Sequence, residues 1–345
     1  MPTLYVTQQG AVVRLSGASL HVTQEIDPDG DGPLPPGRTV LLEVEPHRLE
    51  MVALVGRVHI TQDALKLCLD KGIGVAWFSW NGKFLGRMVP EAARSGDLRL
   101  AQYRAAVDAT LCLDLARRVV SGKLTNAVVT LKGIQSNQPG LEDLSQALRD
   151  LGEYRQRVAE CGDVGALLGF EGGAAACYFG VLDRGFRGEI RFPGRKRRPP
   201  PDAANALLSF GYVLLGNLIG GHLEARGLDP AVGFFHAPRP GRASLALDLL
   251  EEFRHAIVDR FVMRVCNLRM LQPGMFENDA QEGGVRLNRE GLRLFFRAWG
   301  EHLEKPLPES GGGKVSPQEL IRRQVNRMAM TLRGEDQYEP FLMQD

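Results

Sequence analysis

Val75-Ala-Trp-Phe-Ser-Trp-Asn-Gly-Lys-Phe-Leu-Gly-Arg87 decides how the first part of the chain folds. Two apolar runs flank Asn81-Gly82. The type I′ turn that joins paired strands needs positive φ at both central residues, and Asn-Gly supplies this at least strain, so the stretch predicts a hairpin. Upstream, apolar residues recur at every second position in Thr3–Thr7, Ala11–Leu15, Ser19–Thr23 and Thr39–Val44, the pattern of strands with one covered face. One helix interrupts them, from Thr61 as N-cap to Gly72 as its stop. Downstream, from about residue 97, the period lengthens to about 3.6 residues. Helices are predicted over Leu98–Ser121, Lys123–Ser136, Leu141–Ala159, Asp163–Phe179, Asp202–Arg226, Ser244–Leu271, Arg289–Leu303 and Ser316–Arg333. The last opens with Ser316-Pro-Gln-Glu319, a capping box with proline in the first turn. The fold class expected is therefore α+β with two domains. A β-sandwich-like domain with one helix spans 1–90, a linker 91–96, and a larger all-α domain 97–345.

A chain of 345 residues, 44% of them hydrophobic, has enough apolar surface for two cores. Its net charge of +1 predicts no polyanionic partner for the surface as a whole, so any nucleic-acid face must be local. The N-terminal residues lack the charged and apolar regions of a signal peptide. No uninterrupted apolar stretch of membrane-spanning length is expected; the nearest, Ala203–Ile219, is broken by Ser209, Gly211, Tyr212, Gly216 and Asn217 and reads as a buried helix. Five scattered cysteines without a C-x-x-C pair read as core residues of a reducing compartment, and a cytoplasmic location is expected. Asp27-Pro-Asp-Gly-Asp-Gly32 starts like a calcium loop, but Arg38 stands at its twelfth position, so it reads as a turn.

The helix from Ser244 carries Leu249, Leu250, Phe253, Ile257 and Phe261 on one side and Asp248, Glu251, Glu252, His255 and Asp259 on the other. Such a polar face is either solvated or a site. Asp248 and Glu251, three positions apart, share one side of a turn, and the Pro- and Gly-bearing turn Ala237–Arg242 can swing His236 over it. Glu171 stands in Gly169-Phe-Glu-Gly-Gly-Ala-Ala-Ala-Cys-Tyr-Phe-Gly180. Each glycine inside a helix costs about 1 kcal/mol relative to alanine, so a closely packed helix or a ligand must compensate. Leu182–Arg198 sets Arg184, Arg187, Arg191, Arg195, Lys196, Arg197 and Arg198 against Asp183 and Glu189, ahead of Pro199-Pro-Pro201. That is a phosphate-binding footprint or a plain basic loop, held extended by the prolines. Arg195, Lys196, Arg197 and Arg198 are the expected DNA contacts. One imidazole with two carboxylates is the ligand set of a hard-to-borderline divalent ion that keeps positions open for substrate oxygens, which points to metal-dependent phosphodiester chemistry.

On these residues the sequence resembles the CRISPR-associated spacer-acquisition endonuclease/integrase family, the first-numbered Cas protein. The resemblance runs over almost the whole chain: the Trp-Phe-Ser hairpin, Glu171-Gly-Gly-Ala-Ala with Tyr178-Phe179, the block Arg198–Tyr212, Gly233-Phe-Phe-His236, and Ser244–Arg254. His255 departs from it, standing where proline often follows the Glu-Phe-Arg run. The resemblance implies an N-terminal β domain and a C-terminal helical catalytic domain in a homodimer, with a small ferredoxin-like second-numbered Cas protein bridging two such dimers. It implies double-stranded DNA as substrate, both spacer precursor and repeat array, and insertion of foreign fragments by attack of a 3′-hydroxyl on repeat phosphodiesters. It further implies Mg²⁺ or Mn²⁺ held by Glu171, His236 and Glu251, with Asp248 a catalytic carboxylate on the same turn. Two other readings keep the same residues: a structure-specific nuclease of branched repair DNA, and a catalytically silent DNA-binding scaffold whose carboxylates stabilise a helix interface.

Overall fold

Period-two alternation becomes strand pairing in the first part of the chain, and the 3.6-residue stripes become packed helices in the rest. The computed structural model describes residues 3–25, 38–80, 82–90, 95–138, 144–196, 198–280, 283–308 and 313–344. The Asp27–Gly32 turn, Asn81 of the hairpin, Arg197, most of the expected linker and the centre of the Gly-rich connector after Pro308 lie outside them. The chain divides into two compact units, Met1–Ala92 with Leu292–Glu301, and Ala93–Gly291 with His302–Asp345.

In the first unit, β1 (Thr3–Val6), β2 (Val12–Ser16), β3 (Ser19–Glu25), β4 (Arg38–Val44), β5 (Met51–Val55), β6 (His59–Ile60), α1 (Gln62–Asp70), β7 (Gly74–Phe78) and β8 (Phe84–Met88) follow in order. They build two four-stranded sheets, β1-β5-β7-β8 and β4-β3-β2-β6. The hairpin forms, with β8 antiparallel to β7 and Gly82 at φ +84. β5 has no counterpart in the alternation. It pairs in parallel with β1 and β7, and Val52, Ala53 and Leu54 are fully buried, so Met51-Val-Ala-Leu-Val55 is apolar throughout, as strands covered on both faces are. Val13, Leu20, Val52, Leu54 and Val75 share one core with Ala64 and Cys68 of α1. Thr61 caps α1 by accepting from the Ala64 N–H.

The second unit holds α2 (Gly96–Val107), α3 (Ala109–Ser136), α4 (Ser145–Glu160), α5 (Val164–Val181), α6 (Ala203–Arg226), α7 (Ser244–Phe253), α8 (Arg260–Asn267), most of the remaining chain, and α10 (Pro317–Leu332), while α9 (Arg289–Glu304) lends Leu292–Glu301 to the first unit. Asp163, Asp202 and Ser316 cap α5, α6 and α10 through their side chains. The break expected at Gly122 is corrected to Asp108, whose carboxylate accepts from the Thr110 and Leu111 N–H groups and starts α3. Gly122 lies inside α3, where a Cβ would stand 2.6 Å from Pro340: it is a packing glycine, not a stop. The single helix expected over Ser244–Leu271 is three pieces, α7 and α8 joined by a π-helical turn, Arg254–Asp259. Val164–Gly185 and Ala203–Arg226 are long and apolar enough to cross a membrane by length and composition, which corrects the expectation of no such stretch; isolated Ser, Gly, Tyr and Asn lower the mean hydropathy too little. Just over half of that window in α6 is buried inside the protein (56%), against 17% in α5.

Candidate active site

The polar side of α7 is not solvated. Asp248, Glu251, Glu252, His255 and Asp259 are each no more than 3% exposed, and buried polar groups of this kind need partners. Asp248 takes four. It accepts from the backbone N–H groups of Phe234 (2.6 Å), Phe235 (3.1 Å) and His236 (2.9 Å), and from His236 Nδ1 at 2.8 Å. Gly233 permits this approach, since a Cβ there would lie 2.6 Å from Asp248 Oδ2 and 2.8 Å from the Ser244 backbone. A carboxylate that accepts from Nδ1 fixes the imidazole tautomer and leaves Nε2 as the lone-pair nitrogen. The side chain of His236 remains 15% exposed.

Glu251 and Glu171 meet at a group that no motif announced. The Lys123 ammonium, from the middle of α3, hydrogen-bonds Glu171 Oε1 and lies 2.6 Å from Glu251 Oε2. Arg254 Nε stands 2.9 Å from the same Glu251 oxygen. Two cations thus converge on this one buried carboxylate oxygen. Burial alone would push the Glu251 carboxyl up; the charges of Arg254 and Lys123 outweigh it and hold the group well below the usual carboxylate range. Of the glycines around Glu171, Gly173 makes room for Tyr154 of α4, whose hydroxyl would stand 2.5 Å from a Cβ there, but Gly169, Gly172 and Gly180 face open space. Tight helix packing therefore accounts for only one of them.

The π-helical turn anchors Arg254. Its guanidinium lies over the Tyr212 ring at 4.7 Å, and Tyr212 donates to Asp259 Oδ1 at 2.5 Å. Asp259 also accepts from Tyr178 at 2.9 Å and pairs with His255 Nδ1 at 2.7 Å. Burial, reinforced by Asp259, raises both phenols far above their ordinary range, so they remain donors. His255, where the sequence departs from the family pattern, thus belongs to a buried network. Glu252 turns the other way and holds the C-terminal segment: it accepts from Phe341 N–H at 2.7 Å, from Gln324 at 2.9 Å and from the Tyr338 hydroxyl. Asn126, three residues from Lys123, donates to the Glu252 and Phe341 carbonyls.

The basic stretch 186–196 carries no helix or strand. Arg195 gives its N–H groups to Asn205 Oδ1 (2.8 Å), Ser209 Oγ (3.1 Å) and the Lys196 carbonyl (3.0 Å). It tethers the loop to α6, while Lys196 and Arg198 are exposed.

The structure thus brings Glu171 and Glu251 to one cation and ties His236 to α7 through Asp248. Among the described residues no three His, Cys, Asp or Glu side chains stand together in ligand geometry; a lysine already lies between the two glutamates. Sequence reading missed Lys123, Arg254, Tyr212 and Asn126, and placed Asp259 on the polar face without its partners. The available signal for Lys123 was its place among Val119, Val120, Leu124 and Ala127, an apolar face on which a lysine needs a buried counter-charge.

Fold and cluster define an α+β protein whose helical unit buries a carboxylate–lysine–carboxylate cluster beside a tautomer-fixed histidine. A family model described as CRISPR associated protein Cas1 matches residues 4–301. A CRISPR-associated endonuclease Cas1 from Thermus thermophilus is 34% identical over 343 residues, covering 98% of this chain and 96% of the relative. One from Chlorobaculum tepidum is 34% identical over 351 residues, covering 99% and 98%. Among solved structures, a Cas1 protein from Thermotoga maritima superposes with a TM-score of 0.78 at 25% identity, covering 98% of this chain and 99% of that one. A casposase bound to integration product shares the fold at a TM-score of 0.82 and 23% identity, covering 99% and 93%. The chain belongs to the CRISPR-associated protein Cas1 family.

Proposed function

We propose that the chain is a divalent-metal-dependent DNA endonuclease and integrase that inserts foreign DNA fragments as new spacers into a CRISPR array. Family membership supports the CRISPR role, and the relatives named above are called endonucleases. The observation that carries the chemistry is the meeting of Glu171 from α5 and Glu251 from α7 at a single cationic nitrogen. His236 Nε2 is left available beside them by the Asp248 contact.

By donor type these residues suit a hard divalent ion that would take the place of the Lys123 ammonium between the two glutamates. Glu171 and Glu251 already converge on one cationic nitrogen, and the donor set is two carboxylates and one imidazole. Glu171, Glu251 and His236 would hold Mg²⁺ or Mn²⁺, which supplies Lewis-acid polarisation of a phosphodiester and a template for the attacking oxygen. Asp248 orients His236 rather than binding the ion itself. Lys196 and Arg198 meet the DNA backbone, with Arg195 fixing the loop that carries them. The surroundings suit the assembly expected of the family, a cytoplasmic homodimer bridged in pairs by the ferredoxin-like Cas2 protein. On β4, an edge strand, Val40, Leu41 and Leu42 are 51%, 45% and 46% exposed, an apolar edge of the kind that proteins cover.

The test joins a DNA donor bearing a 3′-hydroxyl to a supercoiled plasmid with a repeat, with Mn²⁺ and with or without Cas2. Glu171→Gln and His236→Ala proteins that fold normally should neither join nor cut. Unchanged joining by Glu171→Gln would remove the assignment. Cutting of branched DNA without any joining would favour the repair-nuclease reading.

A further inference from the structure

Lys123 is 3% exposed, and it stands where both glutamates aim their oxygens. Two carboxylates within reach of one ammonium repel each other when ionised. The folded chain therefore needs a cation between them whether or not a metal is bound. Arg254 does not fill that position: its guanidinium lies over the Tyr212 ring and ion-pairs with Glu251, acting on Glu171 through charge alone. A lysine can fill it, being a compact point charge on a flexible stem that can also withdraw.

We infer that Lys123 is the protein's own placeholder for the divalent ion, holding Glu171 and Glu251 together until the ion arrives and competing with it for them. The inference rests on the metal reading given above and adds a control to it. While Lys123 is in place, the carboxylates are partly neutralised and the ion binds weakly. A DNA phosphate offers the ammonium another anionic partner, so DNA and metal bind more tightly together than either binds alone. Linkage requires the coupling to be reciprocal. The site is thereby kept closed to free metal in the absence of its substrate.

The test is Mn²⁺ binding to the full chain without DNA, read from the loss of the free-ion electron paramagnetic resonance signal. Lys123→Met keeps the apolar stem, and Lys123→Gln keeps donors without charge. In both, Mn²⁺ should bind at least about tenfold more tightly than in the unsubstituted protein, since a unit charge a few ångströms away is worth more than that at an effective dielectric of about 20. Adding DNA should tighten Mn²⁺ binding in the unsubstituted protein and much less in the variants. A lysine with a merely structural role would leave the affinity unchanged or weaken it. An affinity equal to or below that of the unsubstituted protein in both variants overturns the inference. If Glu171→Gln abolishes Mn²⁺ binding while both Lys123 variants leave it unchanged, only this inference fails. If no protein binds Mn²⁺ with or without DNA, the metal reading falls with it.

Discussion

Asp248 illustrates how one residue's role follows from its hydrogen bonds. A carboxylate has about four lone-pair sites, and here three backbone N–H groups and one imidazole nitrogen occupy them. Nothing remains for a metal, so its contribution passes through His236. Asp248→Asn keeps the shape but removes the charge and turns an amide NH₂ toward N–H donors. Hydrogen bonds to a charged group are worth about 1.5–3 kcal/mol, and an unsatisfied buried donor costs a similar amount. Urea unfolding of Asp248→Asn should therefore show a loss of about 3 kcal/mol, and DNA joining should fall with it as His236 loses its fixed tautomer. An unchanged urea midpoint would mean that Gly233–His236 is held by other contacts. At this scale the sequence was informative where local context was odd: glycines around Glu171, a turn after His236, acids three apart at Asp248 and Glu251. Lys123 was marked only by the apolar residues around it on α3, and nothing in its spacing pointed to Glu171 or Glu251. Its partners lie 48 and 128 positions along the chain.

The π-helical turn Arg254–Asp259 shows what the elements add. An amphipathic pattern assumes one constant period, and an extra residue in a turn rotates everything after it. Hence His255 and Asp259, inside the turn, serve a network of their own with Tyr178 and Tyr212. A widened turn also loosens the backbone ladder at a functional site, and here His302 of α9 donates from Nε2 to the Ile257 carbonyl at 3.0 Å. Burial is the main cause that lowers the His302 pKa from 6.5 to about 4, against the raising effect of that bond. In the unfolded chain the group takes up a proton near pH 6.5; in the folded protein it does so only near pH 4. Stability from this residue is thus complete above about pH 6.5 and is lost as the pH falls toward 4, by about 3 kcal/mol in all. His302→Gln, which keeps an N–H for Ile257, should flatten the urea midpoint between pH 7 and pH 4.5. A slope as steep as that of the unsubstituted protein would assign the effect to other groups. Most helices were legible from periodicity, though α2 and α5 carry almost no amphipathic stripe, and the break at Asp108 was not legible, because a glycine reads alike as a stop and as a packing site. Gly122→Ala tests the second role. With Pro340 2.6 Å from the new Cβ, it should cost about 1–3 kcal/mol of stability and expose the C-terminal segment to carboxypeptidase. Full resistance would argue against that packing.

For the molecule as a whole, a net charge of +1 means that attraction to DNA must come from where the cations lie. The β-then-α architecture could be read from the change in period, since each pattern is local. The division of labour within the basic loop could not, because a charge run looks the same whether its members face solvent or fold inward. Arg195 spends its donors on Asn205, Ser209 and the Lys196 carbonyl, whereas Lys196 and Arg198 are exposed. The two groups should therefore fail differently. Lys196→Ala with Arg198→Ala should leave the melting temperature within a degree or two, as surface changes do. Its DNA affinity should depend less on salt, with the log–log slope smaller by about 2, because each phosphate contact on duplex DNA contributes about 0.9 to it. Arg195→Ala should instead lower the melting temperature by several degrees, since it leaves Asn205, a fully buried residue, short of a donor. Its effect on DNA should then follow from loop disorder and should shrink on cooling. An unchanged salt slope in the double variant would move the DNA path away from this loop, and a fully stable Arg195→Ala protein would return Arg195 to the list of direct contacts.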